Sequence, residues 1–261
     1  MNKRKSGFTL IELSIVLVII GLIIGGILVG RDLINSSGVR AQISQIEKLN
    51  AAVNTFRTKY GGLPGDLKYT EAQGFGLYYI TYGPYVGLAA RGDGNGLIQN
   101  RGGSVYFFDE PLIFWRHLSD SKMIEGAYGG KLNTAAETTT TMVSDYMPSS
   151  KIGTNGSIKV NSVGTGTNYF LLVSPTITGA GNCCNGTSQN PLTANEAYQI
   201  DNKTDDGLPG SGGVFAINGA GDLSLYTTWK TVSAVSGCVS SGVYALNPGT
   251  TADCSLRFKF Q

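Results

Sequence analysis

Histidine is almost missing: the 261-residue chain has one, His117. Cysteine does not occur before Cys183, and no Cys-x-x-Cys spacing exists. Charge is scarce as well, at 15% of residues with a net charge of +2. A single histidine, with no nucleophile elbow and no identifiable partner, excludes the familiar hydrolase constellations and leaves His117 a structural role. The absence of a phosphate-binding Gly-rich loop excludes a motor ATPase. A balance of +2, without interleaved cations and aromatics, excludes nucleic acid as the primary ligand. The lack of clustered His and Cys removes zinc-type ligand spacing.

What the chain has instead is glycine, 37 copies, together with much Thr, Ser, Asn and Tyr. That composition suits a loop-rich, strand-rich domain outside the cytoplasm. The length suffices for one sizeable domain with extensions. The four cysteines, Cys183, Cys184, Cys238 and Cys254, all come late. An even number in a Gly/Ser/Thr-rich region behind an apolar N-terminus points to disulfides in an oxidising compartment. Four cysteines allow three connectivities.

The N-terminus carries the strongest pattern. Lys3, Arg4 and Lys5 precede an apolar run from Phe8 to Val29. About 22 residues make roughly 33 Å of helix, enough to cross a hydrocarbon core. The cations ahead of the run hold that end in the cytoplasm by the positive-inside rule. A secretory signal would have a shorter core followed by a small-residue cleavage site. Here Gly30, Arg31 and Asp32 follow, and the small residue, Gly7, stands before the run. Glu12 lies inside the run. A carboxylate at mid-membrane costs about 2.5–3.5 kcal/mol on insertion scales, less near an interface. A cut between Gly7 and Phe8 would create an α-amino group able to neutralise Glu12 in a packed bundle.

Gly7-Phe8-Thr9-Leu10-Ile11-Glu12-Leu13, with its basic leader and long apolar run, resembles the processing site of type IV prepilins and of type II secretion pseudopilins. The resemblance implies cleavage after Gly7 by a prepilin peptidase, N-methylation of Phe8, and assembly through Glu12. It also implies residence in the bacterial inner membrane as a single-pass precursor, N-terminus inside. The mature chain then joins a periplasmic pseudopilus or an extracellular pilus. The implied partners are the peptidase, other pilin or pseudopilin subunits, and an inner-membrane platform with its ATPase. Many family members have a helix-bending proline late in the run. This chain has Val29-Gly30 there, with Gly25 and Gly26 just before.

Beyond the run, Val39, Ile43, Ile46, Leu49, Val53, Phe56 and Tyr60 recur at three- and four-residue spacing. This is an amphipathic stripe, with Arg40, Gln45, Lys48, Asn54 and Arg57 opposite. Gly61-Gly62 and Pro64 end it. Ser36-Ser37-Gly38 is the place where the helix would loosen. Glu110–Gly126 reads as a short helix burying Leu112, Trp115, Leu118 and Met123. Ile158–Val163, Tyr169–Val173, Gly213–Ile217 and Leu223–Tyr226 read as strands of an antiparallel sheet. The expected fold is therefore α+β: a long N-terminal helix, membrane-spanning in its first half, packed on a C-terminal antiparallel head. The expected segments are a leader at 1–7, a transmembrane and assembly helix at 8–30, its amphipathic continuation at 31–61, and a head at 62–261.

Three head motifs remain. Asp201, Asp205 and Asp206 cluster carboxylates as a calcium loop would. Lys203 and the missing late Glu depart from the EF-hand pattern, and the rival reading is a turn whose Asp side chains bond backbone N–H groups. No other cofactor is expected. Arg91-Gly92-Asp93 is an adhesion tripeptide that Gly-rich turns generate easily. Cys238 and Cys254 bracket a short loop that looks like the disulfide-bounded C-terminal loop of many type IV pilins. That likeness favours the 238–254 pair and leaves Cys183 and Cys184 bridged or free. The expected function is that of a non-catalytic structural subunit. Its alternatives are a stem-displayed adhesin and an enzyme secreted on an ordinary signal.

Overall fold

The computed structural model describes residues 9–78, 92–99, 110–128, 143–153, 155–163, 166–174, 177–178, 182–183, 190–217, 237–246 and 251–260. Helix α1 runs unbroken from Leu10 to Tyr60. Neither the Gly25-Gly26 pair nor Ser36-Ser37-Gly38 interrupts it, although the division between two compact units falls between Gly38 and Val39. The helix stops where the glycines direct: Gly61 adopts φ 79° and donates its N–H to Arg57 O at 2.9 Å. Only a residue without Cβ takes that left-handed turn cheaply.

In the second unit α1 buries Val39, Gln42, Ile46, Leu49, Ala52, Val53 and Phe56. This is the expected stripe with two additions, Gln42 and Ala52, and with Ile43 and Tyr60 only half-buried. Gln42 is fully buried and accepts Lys151 N–H at 2.8 Å. Gln45, expected on the outer face, is half-buried and donates to Ser149 O at 2.9 Å. The two amides tether segment 149–151 along the helix, a polar seam that a hydrophobic period does not reveal.

The partner of the stripe is an antiparallel sheet in the order β1 (Ser157–Val163), β2 (Thr167–Val173), β8 (Ser255–Lys259) and β5 (Val214–Ile217). Register pairs Val160 with Phe170, Phe170 with Phe258, and Phe258 with Val214. Alternation places these residues, with Ile158, Leu172, Ala216 and Leu256, in the same core as the α1 stripe. The other face is also apolar: Tyr169, Leu171, Val173 and Ile217 form a second buried cluster. On that face the Arg257 guanidinium lies over Tyr169 at 4.9 Å and Phe215 at 4.4 Å.

Shorter elements complete the described residues: α2 (Tyr69–Gly74), α3 (Glu110–Asp120), α4 (Ala194–Thr204), and the two-stranded pairs β3 (Ile177–Thr178) with β4 (Asn182–Cys183) and β6 (Val239–Ser240) with β7 (Val243–Tyr244). Helix α3 ends at Asp120, earlier than expected, with Trp115 and Leu118 buried and Met123 half-buried against the core. It docks by aromatic edges. Phe114 meets Phe170 at 6.1 Å, and Phe170 stacks on Phe260 at 4.3 Å. The expected strand at 223–226 and the side chain of Leu112 lie outside the described residues.

Gly65 is where α3 approaches the turn after α1. Its φ is 81°, and a Cβ there would stand 2.4 Å from Glu110 O. Gly65→Ala should therefore destabilise the protein by roughly 2–4 kcal/mol. Gly61→Ala, with φ 79° but nothing within 4 Å of an added Cβ, should cost only about 1–2 kcal/mol. Urea midpoints of the two variants, followed by tryptophan fluorescence, should separate in that order; equal midpoints would contradict the close-packing argument.

Candidate functional site

The first turn of α1 is organised by Thr9 and Glu12. One oxygen of the Glu12 carboxylate accepts both the Thr9 N–H and the Thr9 hydroxyl, each at 2.8 Å. Thr9 Oγ1 accepts the Glu12 N–H at 3.3 Å. This is a reciprocal capping box, and Thr-x-x-Glu in Thr9-Leu10-Ile11-Glu12 is its sequence signature. It also sets a negative charge at the positive end of the helix dipole. Sequence reasoning gave Glu12 an assembly role and missed this local one. Gly7 and Phe8 lie outside the described residues.

Past the cap, the helix carries its apolar residues outward. Leu10 is 88% exposed, Leu22 72% and Ile34 72%. The apolar stretch of this helix is not buried within the protein. By length and composition this helix can cross a membrane. Its hydroxyl at Ser14 is satisfied internally, donating to Ile11 O at 2.9 Å, as a low-dielectric medium requires.

The family model described as prokaryotic N-terminal methylation motif matches residues 2–28. Residues 2–28 are the class III signal of type IV pilins and pseudopilins. The match spans the basic leader, Gly7, Phe8, Glu12 and most of the apolar run. No curated protein and no solved structure matches the chain. The methylation motif implies processing by a prepilin peptidase and assembly with other pilins, and it fits a membrane-anchored precursor.

Within the head, the cluster Asp201, Asp205 and Asp206 does form: one carboxylate oxygen of each lies within 4.8 Å of the others. Most of their oxygens already accept hydrogen bonds. Asp201, buried in the last turn of α4, accepts Tyr244 O–H at 2.7 Å and Gly207 N–H at 3.3 Å. Asp205 accepts Gly213 N–H and Val214 N–H. Asp206 accepts Leu208 N–H at 2.9 Å and the Ser211 hydroxyl at 2.5 Å. The turn thereby organises the passage from α4 into β5 and occupies N–H groups on the sheet's edge. Remaining lone pairs are of the hard-oxygen kind that calcium accepts. Burial, then the neighbouring Asp206 and Asp205 charges, pushes Asp201 up to about 6 against the pull of Tyr244 and Gly207. Helix α4 was not read from the sequence. Its signal was available in Thr193-x-x-Glu196, a capping box in which Thr193 Oγ1 accepts Glu196 N–H at 3.2 Å.

A second carboxylate group, Asp66, Asp93 and Glu110, is assembled from three distant segments. Asp66 receives Gly94 N–H at 2.9 Å and Gly96 N–H at 2.8 Å, and Glu110 receives Gln99 N–H at 2.7 Å. Burial pushes Asp66 up to about 6. Asn168 holds the same loop to β2 by accepting Ile98 N–H and donating to Gly96 O, both at 2.8 Å. The adhesion tripeptide is thus not a free tip: Gly92 is buried, and Asp93 accepts Asn95 N–H at 2.9 Å. Arg91 lies outside the described residues.

Cys238 and Cys254 are disulfide-bonded, with Cα atoms 5.0 Å apart across 16 positions. The bridge ties the β6–β7 hairpin, and with it Tyr244, to the strand entry that pairs with Leu192. The Cys183 side chain and Cys184 lie outside the described residues.

His117 has both nitrogens engaged. Nδ1 accepts Gly65 N–H at 3.0 Å, and Nε2 donates to Tyr78 O at 2.7 Å. The ring stacks on Phe56 at 5.8 Å. It is a clamp between α1, the following turn and α3. Burial drives it down to about 4. The native state therefore keeps it neutral while the unfolded chain takes up a proton below about 6.5. Its contribution is present above that pH and is lost as pH falls toward 4, up to about 3 kcal/mol. Asp66 and Asp201, raised to about 6, act in the opposite direction over the same range. The expected outcome is that His117→Gln flattens the acid limb of stability between pH 7 and 4 relative to wild type; parallel pH profiles would contradict the clamp. Replacing Cys238 and Cys254 by Ser should cost about 3 kcal/mol, measured as the difference in unfolding free energy at pH 7.

Proposed function

We propose that this chain is a structural subunit of a type IV pilus or of a type II secretion pseudopilus. The methylation motif, joined to an outward-facing apolar helix, is the observation that carries the reading. In this proposal residues 1–7 are a leader removed after Gly7. Residues 8–30 first anchor the precursor in the inner membrane and later pack against other stems. Residues 31–61 continue the helix and 62–261 form the head, outside the cytoplasm. The chain is not catalytic. Its work is assembly, and the energy of extraction from the membrane comes from a separate ATPase at the assembly platform.

Glu12 sets register in this scheme. Its carboxylate is already held at the helix start by Thr9. Methylated Phe8, as the new terminus, would bring an amine within reach of a neighbouring subunit's Glu12. A charged pair in a dry bundle is a better register device than a source of stability, because desolvation offsets most of its attraction.

Mass spectrometry of the N-terminal peptide from native cells should find a peptide beginning with N-methylated Phe8. An intact leader in cells with active prepilin peptidase, or a cut beyond Val29, would overturn the proposal. Gly7→Leu should leave uncut precursor in the membrane. Glu12→Ala should insert and be cut but lose most filament incorporation, and normal incorporation would remove Glu12 from the register role.

A further inference from the structure

The outward face of α1 in the second unit carries cations that no described residue of the head pairs. Arg40, Lys48 and Lys59 are exposed. Spacings of eight and eleven residues put all three within about a third of the helix circumference. Among the described residues, Arg40 and Lys48 make no side-chain hydrogen bond or ion pair, and Lys59 only overlies the Tyr60 ring at 5.0 Å. One anion, Glu47, flanks them. Between the cations the face is small, with Ala41, Ser44 and Ala51, so another surface can come close to the helix.

The same chain holds a complementary feature elsewhere. Asp205 and Asp206 are exposed at the α4–β5 turn, crowded beside Asp201. Leu208, 47% exposed, projects from the same turn. Like charges this close repel one another, and an approaching cation relieves them.

We propose that, in the assembled filament, the Asp205–Asp206 turn of one copy docks on the Arg40–Lys48–Lys59 face of a second copy. The inference rests on the pilin-like reading above. The face is continuous with the helix that the assembly uses, so stems packed in register bring a neighbouring head alongside it. Donor face and acceptor turn are different surfaces of one chain. Along a filament such a contact is head-to-tail and repeats from each subunit to the next. Each exposed pair is weak by itself; repetition at every subunit is what makes it count.

The test uses the full chain in cells that assemble it. Two chains are co-expressed, one carrying Lys48→Cys and one Leu208→Cys, and sheared filaments are treated with a short bis-maleimide. Cross-linked dimers are expected only when both variants are present. Separately, Arg40→Glu with Lys48→Glu should lower sheared filament by roughly tenfold or more through like-charge contact. Cleavage after Gly7 and the amount of membrane-bound precursor should stay unchanged. Filaments at wild-type yield, or filaments without a 48–208 cross-link, would overturn this contact and leave the pilin-like reading standing. Loss of membrane-bound precursor in the charge variant would assign the face to anionic lipid and overturn it too. Absence of any filament from the unmodified chain, with Phe8 unmethylated, would overturn the assembly reading itself and the contact with it.

Discussion

From Leu10 to Ile34 the helix turns a largely apolar surface outward, and none of the described residues covers it. Each such side chain gains about 1.5–3 kcal/mol on leaving water. Summed along the run, the drive is on the order of tens of kcal/mol. It can be met by lipid or by other helices of the same kind. Three cations precede the run, and in the reading proposed above they hold that end inside while the Gly7-Phe8 junction marks where the leader ends. Membrane anchoring and helix bundling are then two solutions to one burial problem. Glu12 is the element that distinguishes them. In lipid its charge is a cost that Thr9 partly relieves through the capping box; in the bundle proposed above it would gain a partner.

The second half of the helix solves the same problem within the chain. Its stripe is covered by the sheet, by α3 and by the turn that follows it. The turn is held by polar groups sunk in the core: Asp66 gathers the 92–99 loop, Asn168 fastens that loop to β2, and His117 pins Gly65. Buried polar groups are tolerable because their hydrogen bonds are made. They also give the head a definite arrangement where a Gly-rich sequence offers little side-chain packing. The acidic turn at 201–206 repeats the device at the other edge of the sheet, where carboxylates take up N–H groups of Gly213 and Val214.

Most of the architecture could be read in advance because it is periodic. The 3.6-residue stripe from Val39 to Tyr60 reports a face directly, and the short apolar runs Ile158–Val163 and Tyr169–Val173, bounded by turn residues, report strands. The central strand Ser255–Lys259 was missed although Leu256 and Phe258 alternate with polar residues; it is only five residues long, and the Arg257 guanidinium lies over Tyr169 and Phe215 only once the sheet exists. Helix α4 escaped because its composition is polar and its signal is a cap. Gln42 and Gln45 looked like ordinary helix polars, and burial of the first depends on what lies across from it.

Sequence alone determined the methylation motif, the apolar span and the place where the helix ends. Those are properties of consecutive residues: charge, hydropathy and backbone freedom act locally, and an enzyme or a membrane meets them as a linear segment. The tertiary structure decided which carboxylates meet, that His117 is a clamp with no free nitrogen, and that Cys238 bonds Cys254. These depend on segments far apart in the chain being held within hydrogen-bonding or covalent reach, and no local pattern encodes such a distance.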